Sequence, residues 1–131
     1  MSLSVSAPPA APRGARAGAG LAPWQLRRVA GFIEDRLSER ITVADLAAQA
    51  RLSRAQFFRA FTATLGMPPH GYVMARRLRR AEMLMLTTSE PLSRISAACG
   101  LADQAHLTRL FRCHAGTTPH RWRRRHRAPG G

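Results

Sequence analysis

The sequence predicts an all-α protein in which two homeodomain-like helix-turn-helix units are joined by a long linker helix, with about seven helices in all. Two observations lead to this prediction. The stretch at residues 53–72 is repeated fifty positions later at residues 103–122, and a repeat of this length indicates a repeated structural unit. Apolar residues also recur at helical spacing, with capping residues before each run and glycine or proline after it.

The two copies agree at the apolar, basic and helix-ending positions. The matching pairs are Phe57 with Leu107, Arg59 with Arg109, Phe61 with Phe111, Gly66 with Gly116, Pro69 with Pro119, His70 with His120, and Tyr72 with Trp122. Each copy begins with an N-capping residue, Ser53 or Asp103, and stops at a glycine. One face of each helix is apolar and the other is polar, which suits a helix that packs on one side and meets a negatively charged surface on the other.

The chain begins with a segment that has no helical pattern. Residues 1–22 are rich in alanine, proline and glycine and contain no aromatic residue, which predicts a flexible tail or the remnant of a linker. From Pro23 onward the spacing predicts a scaffold helix. Its apolar side carries Leu26, Val29, Ala30, Ile33 and Leu37.

A short helix at residues 43–49 follows, because Thr42 starts a sequence with the spacing of a capping box. A turn then separates it from the polar-faced helix, which begins at Ser53 or Arg54. A short helix, a tight turn and a polar-faced helix are the layout of a helix-turn-helix. The first unit therefore spans about residues 23–67.

The linker helix is predicted at about residues 69–87, and its arginines at positions 76, 77, 79 and 80 are expected to face outward. The second unit spans about residues 91–127. Within it, a short helix at residues 92–98 mirrors the short helix of the first unit, and a last helix begins at Pro119. The folded domain is thus expected to cover residues 23–128.

The charge of the chain restricts its partners. Its 131 residues carry a formal net charge of +14, all 21 basic residues are arginine, and only 7 are acidic. Arginine forms forked contacts with phosphate and with guanine edges. The excess of basic over acidic residues therefore indicates a polyanionic partner, and it favours a nucleic acid over a membrane surface. A GC-rich coding sequence also enriches arginine.

The sequence lacks the signals that are typical of several functional classes. The chain shows no signal peptide and no apolar run long enough for a membrane helix, so we expect a cytoplasmic protein without a membrane partner. No catalytic grouping or phosphate-binding loop indicates an enzyme, and no cofactor is expected. Cys99 and Cys113 are expected to be small buried hydrophobic residues. The spacing of Cys113 with the nearby histidines fits no metal site.

Residues 23–127, about four fifths of the chain, resemble the DNA-binding domain of the AraC/XylS family of bacterial transcription regulators. The second half carries the signature most fully, at Ile95, Gly100, Leu101, Asp103, Gln104, His106, Leu107, Arg109, Phe111, Gly116, Thr118, Pro119 and Trp122. The resemblance implies an activator or repressor that binds double-stranded promoter or operator DNA sequence-specifically, with RNA polymerase as a further candidate partner.

Recognition helices that enter adjacent major-groove segments must lie roughly 34 Å apart. The linker helix would span roughly 28 Å, so with its end turns it has about the required length. A monomer is therefore expected to bind two successive grooves.

The resemblance also implies which residues contact DNA. The base contacts are expected from Ala55, Gln56, Phe58 and Arg59 in the first unit and from Gln104, Ala105, His106, Thr108 and Arg109 in the second. The two arginines suit guanine, Gln104 suits adenine, and the alanines or Phe58 suit a thymine methyl group. Phosphate contacts are expected from Arg54, Arg112, Arg123, Arg124 and Arg125.

Some positions depart from the family pattern. Phe58 stands where a polar residue is common, so a partly buried ring and a DNA-facing ring are both open alternatives. Ser96 replaces a usual alanine and must satisfy its hydroxyl group locally, whereas Trp122 replaces a frequent tyrosine and is expected in the core. Most members also carry a separate effector-binding or dimerisation domain, which 22 residues cannot form.

Two alternatives to a complete sequence-specific regulator remain at this point. The first is a non-specific basic architectural protein that binds DNA or RNA through charge alone. The second is a DNA-binding fragment of a longer effector-responsive regulator.

Overall fold

The computed structural model describes residues 20–127, and within this range it contains seven α-helices and no β-strand. The helices are α1 (Pro23–Asp35), α2 (Val43–Ala50), α3 (Arg54–Leu65), α4 (Pro69–Thr87), α5 (Leu92–Ala98), α6 (Gln104–Ala115) and α7 (Pro119–His126). The all-α prediction is confirmed. Residues 1–19 of the predicted tail and residues 128–131 lie outside the described range.

Side-chain caps determine where the helices of the first helix-turn-helix begin. The Thr42 hydroxyl accepts the Asp45 N–H at 3.1 Å, and the Asp45 carboxylate accepts the Thr42 N–H at 3.0 Å. Ser53 and Gln56 form the same reciprocal pair at the start of α3, with both distances 3.1 Å. Each pair satisfies two main-chain donors that a helix end otherwise leaves unpaired.

The polar-faced helices stop as predicted, whereas α1 stops earlier. Gly66 ends α3 and Gly116 ends α6, each with φ of 76° in the left-handed region. Helix α1 ends at Asp35, so Leu37 is not part of its apolar stripe. Leu37 is instead buried in the turn that follows.

The structure divides into two compact units, and the division falls inside α4, after Tyr72. In the first unit α1 packs against α2 and α2 packs against α3. Its buried side chains come from all three helices: Val29, Ile33, Leu46, Ala47, Ala50, Phe57, Ala60 and Phe61. The Gln25 amide donates to the Ala50 oxygen at 2.8 Å, which connects the start of α1 to the end of α2.

The last residues of the predicted tail belong to the first unit. The Leu21 N–H donates to the Thr64 hydroxyl oxygen at 2.8 Å, and the Ala22 N–H donates to the Gln25 side-chain oxygen at 2.8 Å. These bonds hold the chain just before α1. The prediction of a flexible tail reaching residue 22 is therefore wrong for residues 21 and 22.

The second unit contains residues 36–40 and the chain from Val73. Its core joins α4, α5 and α6 through Leu78, Ala81, Met85, Ile95, Cys99, Leu101, Leu107 and Phe111. Trp122 of α7 is half-buried and packs against this core, which agrees with the expectation that it is a core residue. The core fixes which faces of α6 and α7 remain exposed.

Arg77 differs from the outward orientation predicted for the arginines of α4. Its Nε donates to the Leu37 oxygen at 3.0 Å and its Nη2 donates to the Glu39 oxygen at 2.6 Å. Burial lowers the pKa of the guanidinium, while Cys99 acts in the opposite direction. Arg77 thus holds main-chain oxygens of the second unit.

Ser96 on α5 is the other departure. It is completely buried, and its hydroxyl oxygen has no hydrogen-bond partner among the described residues. The expectation that a local partner satisfies this hydroxyl is therefore wrong.

Candidate nucleic-acid interface

Aromatic packing fixes which side of α3 faces the core of the first unit. Phe57 and Phe61 are both completely buried, with ring centroids 5.4 Å apart, and the Tyr72 ring lies edge-on to Phe61 at 5.5 Å. Ala60 is buried beside these rings, so one side of α3 enters the core and the opposite side faces outward. Ala55 and Arg59 are accordingly exposed.

Phe58 lies on this exposed side of α3. Its side chain is 46% exposed, and among the described residues it makes no aromatic pair of the kind that joins Phe57, Phe61 and Tyr72. Of the two alternatives left by the sequence, the structure therefore favours the outward ring. An apolar ring is thus part of an otherwise polar helix face.

Gln56 has a structural role that limits its chemistry. Its side-chain oxygen accepts the Ser53 N–H in the capping box, which occupies one of the two lone pairs of this oxygen. Gln56 is exposed, and its NH₂ group can donate to a base edge. The cap therefore leaves both NH₂ donors and one lone pair of Gln56 for a ligand.

Helix α6 is fixed in the same way as α3. Leu107 and Phe111 are completely buried, and the Trp122 ring lies edge-on to Phe111 with centroids 5.5 Å apart. The opposite face exposes Gln104, Ala105 and Arg109, while Thr108 is half-buried. The second unit thus presents a face with the same arrangement of small and basic residues as α3.

His106 is half-buried at the start of α6, and its ring takes part in the helix cap. Its Nδ1 accepts the Ala102 N–H at 3.2 Å, while its own main-chain N–H donates to the Asp103 carboxylate at 2.8 Å. Since Nδ1 is an acceptor, the hydrogen of the neutral ring lies on Nε2. His106 can therefore present only an Nε2–H donor to a base.

Arg59 and Arg109 occupy the same position of the repeat, fifty residues apart. Both side chains are exposed, and neither makes a hydrogen bond or ion pair within residues 20–127. All five N–H donors of each guanidinium are therefore available to a ligand. A guanidinium of this kind can donate two parallel hydrogen bonds to guanine O6 and N7.

Further exposed arginines lie on α3, α6 and α7. Arg54 is the first residue of α3 and Arg112 lies in the last turn of α6. On α7, Arg121, Arg124 and Arg125 are exposed and line an open depression of about 420 Å³. The spacing of these three positions, i, i+3 and i+4, places them on one face of the helix.

Arg123 is an exception among the arginines expected to contact phosphate. Its Nε donates to the Met85 oxygen at 3.0 Å, its Nη2 to the Thr88 oxygen at 2.6 Å and its Nη1 to the Glu90 oxygen at 2.7 Å. Burial lowers its pKa, and the nearby Arg127 lowers it further. Three of its five donors are therefore engaged by main-chain oxygens in the last turn of α4 and just after it.

The two cysteines have different surroundings. Cys99 is buried in the core of the second unit, and burial raises the pKa of its thiol to about 11 against the opposing effect of Arg80 and Arg77. Cys113 on α6 is exposed. The expectation of a buried residue therefore holds for Cys99 and is wrong for Cys113. Cys113 lies on the side of α6 opposite to the buried Leu107 and Phe111.

In the part of the chain that the structure describes, no group of three or more histidine, cysteine or acidic side chains comes together in a way that could hold a metal ion. None of the helices in residues 20–127 is both long enough and apolar enough to cross a membrane.

The chain is similar to known helix-turn-helix proteins over most of the described range. The sequence profile of a helix-turn-helix domain family matches residues 46–125. Over 91 residues the chain is 35% identical to the probable transcriptional regulator LumQ of Photobacterium leiognathi, and the match covers 70% of this chain and 37% of LumQ. Over 102 residues it is 33% identical to the transcriptional activator NphR of a Rhodococcus species, which covers 77% of this chain and 30% of NphR.

The fold also matches solved structures. A transcriptional regulator of Chromobacterium violaceum, described as having an AraC-type DNA-binding domain, superposes with a TM-score of 0.73 at 33% identity. That match covers 82% of this chain and 95% of the other. The DNA-binding domain of the transcriptional factor AdpA, solved with a target DNA, superposes with a TM-score of 0.72 at 28% identity, covering 79% of this chain and 92% of that domain.

Proposed function

This chain belongs to the AraC-type helix-turn-helix family, and we propose that it regulates transcription by binding two adjacent major-groove segments of double-stranded DNA through α3 and α6. The observation that carries the proposal is the pair Arg59 and Arg109. Each is exposed and unpaired among the described residues, on the face of a helix whose other side is locked into a core. Specific recognition of DNA needs such rigidly positioned, unpaired donors.

The proposed base contacts follow from the chemistry of each exposed side chain. Arg59 and Arg109 bind guanine, and Gln104 binds adenine through its carboxamide. Gln56 contributes its NH₂ group and His106 its Nε2–H, because the Gln56 oxygen and the His106 Nδ1 each accept a main-chain N–H at the start of their helix. The small or apolar side chains come close to base edges; these are Ala55, Phe58, Ala105 and Thr108.

Phosphate contacts set the position of the protein on the duplex without reading its sequence. We propose Arg54, Arg112, Arg124 and Arg125 for this role, because each is exposed. Arg121 joins them, since it lines the same depression on α7 as Arg124 and Arg125. Arg123 is left out, because it donates to three main-chain oxygens.

One chain carries both helix-turn-helix units, so we propose that a monomer occupies the complete site. A DNA-bound regulator of this kind acts on transcription through RNA polymerase, which we propose as the second partner, in the cytoplasm of a bacterium. The curated relatives are much longer proteins, of which this chain spans 37% and 30% in the two cases above.

The proposal is tested by selecting bound duplexes from a random library at physiological salt with competitor DNA present. We expect a motif of two short blocks about one helical turn apart. The matched control is the double variant Arg59→Ala, Arg109→Ala, which keeps both cores and caps intact. It should bind with little sequence preference, since phosphate contacts alone remain.

The charge of +14 alone supports a different outcome, non-specific binding of nucleic acid. In that case the selection would enrich no motif, and binding would disappear at moderate salt for every sequence. A single enriched block would show that only one of the two helices reads bases.

A further inference from the structure

The exposed faces of α3 and α6 can be compared position by position, because the repeat offset is fifty residues. The comparable outward pairs are Ala55 with Ala105, Phe58 with Thr108, and Arg59 with Arg109. The first and third pairs are identical, whereas the middle pair differs in size and polarity. The pairs Arg54 with Gln104 and Gln56 with His106 also differ, but all four of these side chains are polar. Phe58 is therefore the apolar side chain of the α3 face that has a polar counterpart on α6.

The exposure of Phe58 is a result of how α3 is anchored. Phe57 and Phe61 fill the core and are completely buried, while Phe58 is 46% exposed. No residue of the described range makes an aromatic contact with it. Moving this ring into the core would require α3 to rotate and withdraw Phe57, so the ring stays outside in the folded unit.

Phe58 lies within a small apolar area of a basic helix face. Ala55 is three residues earlier and also exposed, so the two side chains are neighbours on the helix surface. Arg59 adjoins them. The area therefore combines an apolar surface with a guanidinium that suits guanine.

A phenyl ring can neither donate nor accept a hydrogen bond in a groove of DNA. In the major groove the apolar feature of an unmodified base pair is the C5-methyl group of thymine. Contact with that methyl group removes apolar surface from water on both sides, which is favourable. The other base edges of the major groove present polar atoms that a phenyl ring would leave unpaired.

We propose that Phe58 is a specificity-determining residue that recognises the C5-methyl group of a thymine beside the guanine bound by Arg59. This inference rests on the proposed function and refines it. The two blocks of the DNA site then share a guanine position and differ at the neighbouring position, where only the block bound by α3 requires a methyl group.

The test uses the full chain and the duplex recovered by selection. Each thymine of the block bound by α3 is replaced in turn by deoxyuridine, which lacks only the methyl group, and the Kd is measured by fluorescence anisotropy. At one position the wild-type protein should bind about fourfold more weakly. Replacing that T·A pair by C·G should weaken binding further, and 5-methylcytosine there should recover part of the loss.

The variant Phe58→Ala should bind the thymine and deoxyuridine duplexes equally, and Phe58→Leu should keep part of the discrimination. Met83→Ala is the matched control, because it removes another exposed apolar side chain, 60% exposed, on α4. It should discriminate as the wild type does. Thermal unfolding should be unchanged in all three variants, since neither side chain belongs to a core.

The proposal is overturned if the wild type binds every deoxyuridine duplex as tightly as the thymine duplex. It is also overturned if Phe58→Ala loses the same affinity on both duplexes, because the ring would then contact sugar or another part of the backbone. Either result leaves the two-block motif intact. Failure of the proposed function would instead show as absence of any motif.

Discussion

Arg77 and Leu37 are joined by a hydrogen bond of 3.0 Å from the arginine Nε to the leucine main-chain oxygen, although forty residues separate them in the sequence. The same guanidinium donates to the Glu39 oxygen at 2.6 Å. Fifty residues after Arg77, Arg127 donates to the Thr88 oxygen at 2.7 Å. In both copies of the repeat, an arginine thus holds main-chain oxygens that follow the end of an earlier helix.

We expect Arg77→Ala to lower the free energy of unfolding of the second unit by about 2 kcal/mol, because a partly buried carbonyl oxygen of Leu37 and an exposed one of Glu39 lose a charged donor. Urea denaturation followed by circular dichroism measures the loss. Arg79→Ala is the control, since Arg79 is exposed on the same helix, and it should change stability little. Equal stability of the two variants would contradict the structural role of Arg77.

Arg51 and Gly100 occupy the same place in the two turns, and both have positive φ, 59° and 78°. A Cβ on Gly100 would lie 2.1 Å from the Leu37 oxygen, so Gly100→Ala should cost more than about 2 kcal/mol through the clash and the left-handed backbone. Arg51 already has a Cβ in this conformation.

Arg51→Ala should therefore cost less than about 1 kcal/mol, through loss of the contact between the guanidinium and the Trp24 ring at 5.9 Å. Chemical denaturation of both variants compares the same residue in two equivalent turns. Similar losses of stability in Gly100→Ala and Arg51→Ala would show that the close approach of the Leu37 oxygen to Gly100 does not restrict which residue the second turn accepts.

Ser96→Ala should stabilise the second unit by about 1 kcal/mol, because it removes a buried hydroxyl group that has no partner among the described residues. Ala47, which is 3% exposed, stands at the equivalent position of the first unit. The converse variant Ala47→Ser should destabilise that unit. Differential scanning calorimetry measures both changes, and a destabilised Ser96→Ala protein would indicate that the hydroxyl has a partner in solution.

Arg109→Ala should cost about 1 to 3 kcal/mol of binding free energy on the selected duplex and relax the sequence preference at one position. Arg124→Ala should weaken binding to all sequences alike and reduce the slope of log K against log salt by about one. Anisotropy titrations at several salt concentrations separate the two effects. If Arg109→Ala lost the same affinity on every sequence, Arg109 would be a phosphate ligand.

Burial raises the pKa of the Cys99 thiol to about 11, so at pH 8 the folded protein should react with a thiol reagent only at Cys113, which is exposed. The unfolded chain in urea should react at both. Because the unfolded thiol ionises at lower pH than the folded one, the stability that Cys99 contributes is lost as the pH rises toward 11. In the variant Cys113→Ser, labelling of the folded protein at pH 8 would contradict the buried state of Cys99.

Local sequence signals predicted the helices well. The reciprocal caps at Ser53 and Thr42 and the left-handed glycines at the ends of α3 and α6 depend on residues within one helical turn, so a single sequence shows them. The repeat likewise showed that the chain contains two similar units. The candidate base contacts follow from the resemblance to the AraC/XylS family and remain predictions.

The sequence by itself determined the seven helices, their caps, the duplication and the arginine-rich polar faces, because each of these depends on neighbours in the chain. Tertiary structure decided which arginines are free. Arg77 and Arg123 look like their exposed neighbours in the sequence, but they donate to oxygens 40 and 38 residues away. The packing of Phe57 and Phe61 likewise decided that Phe58 is exposed, since only one side of α3 can enter the core.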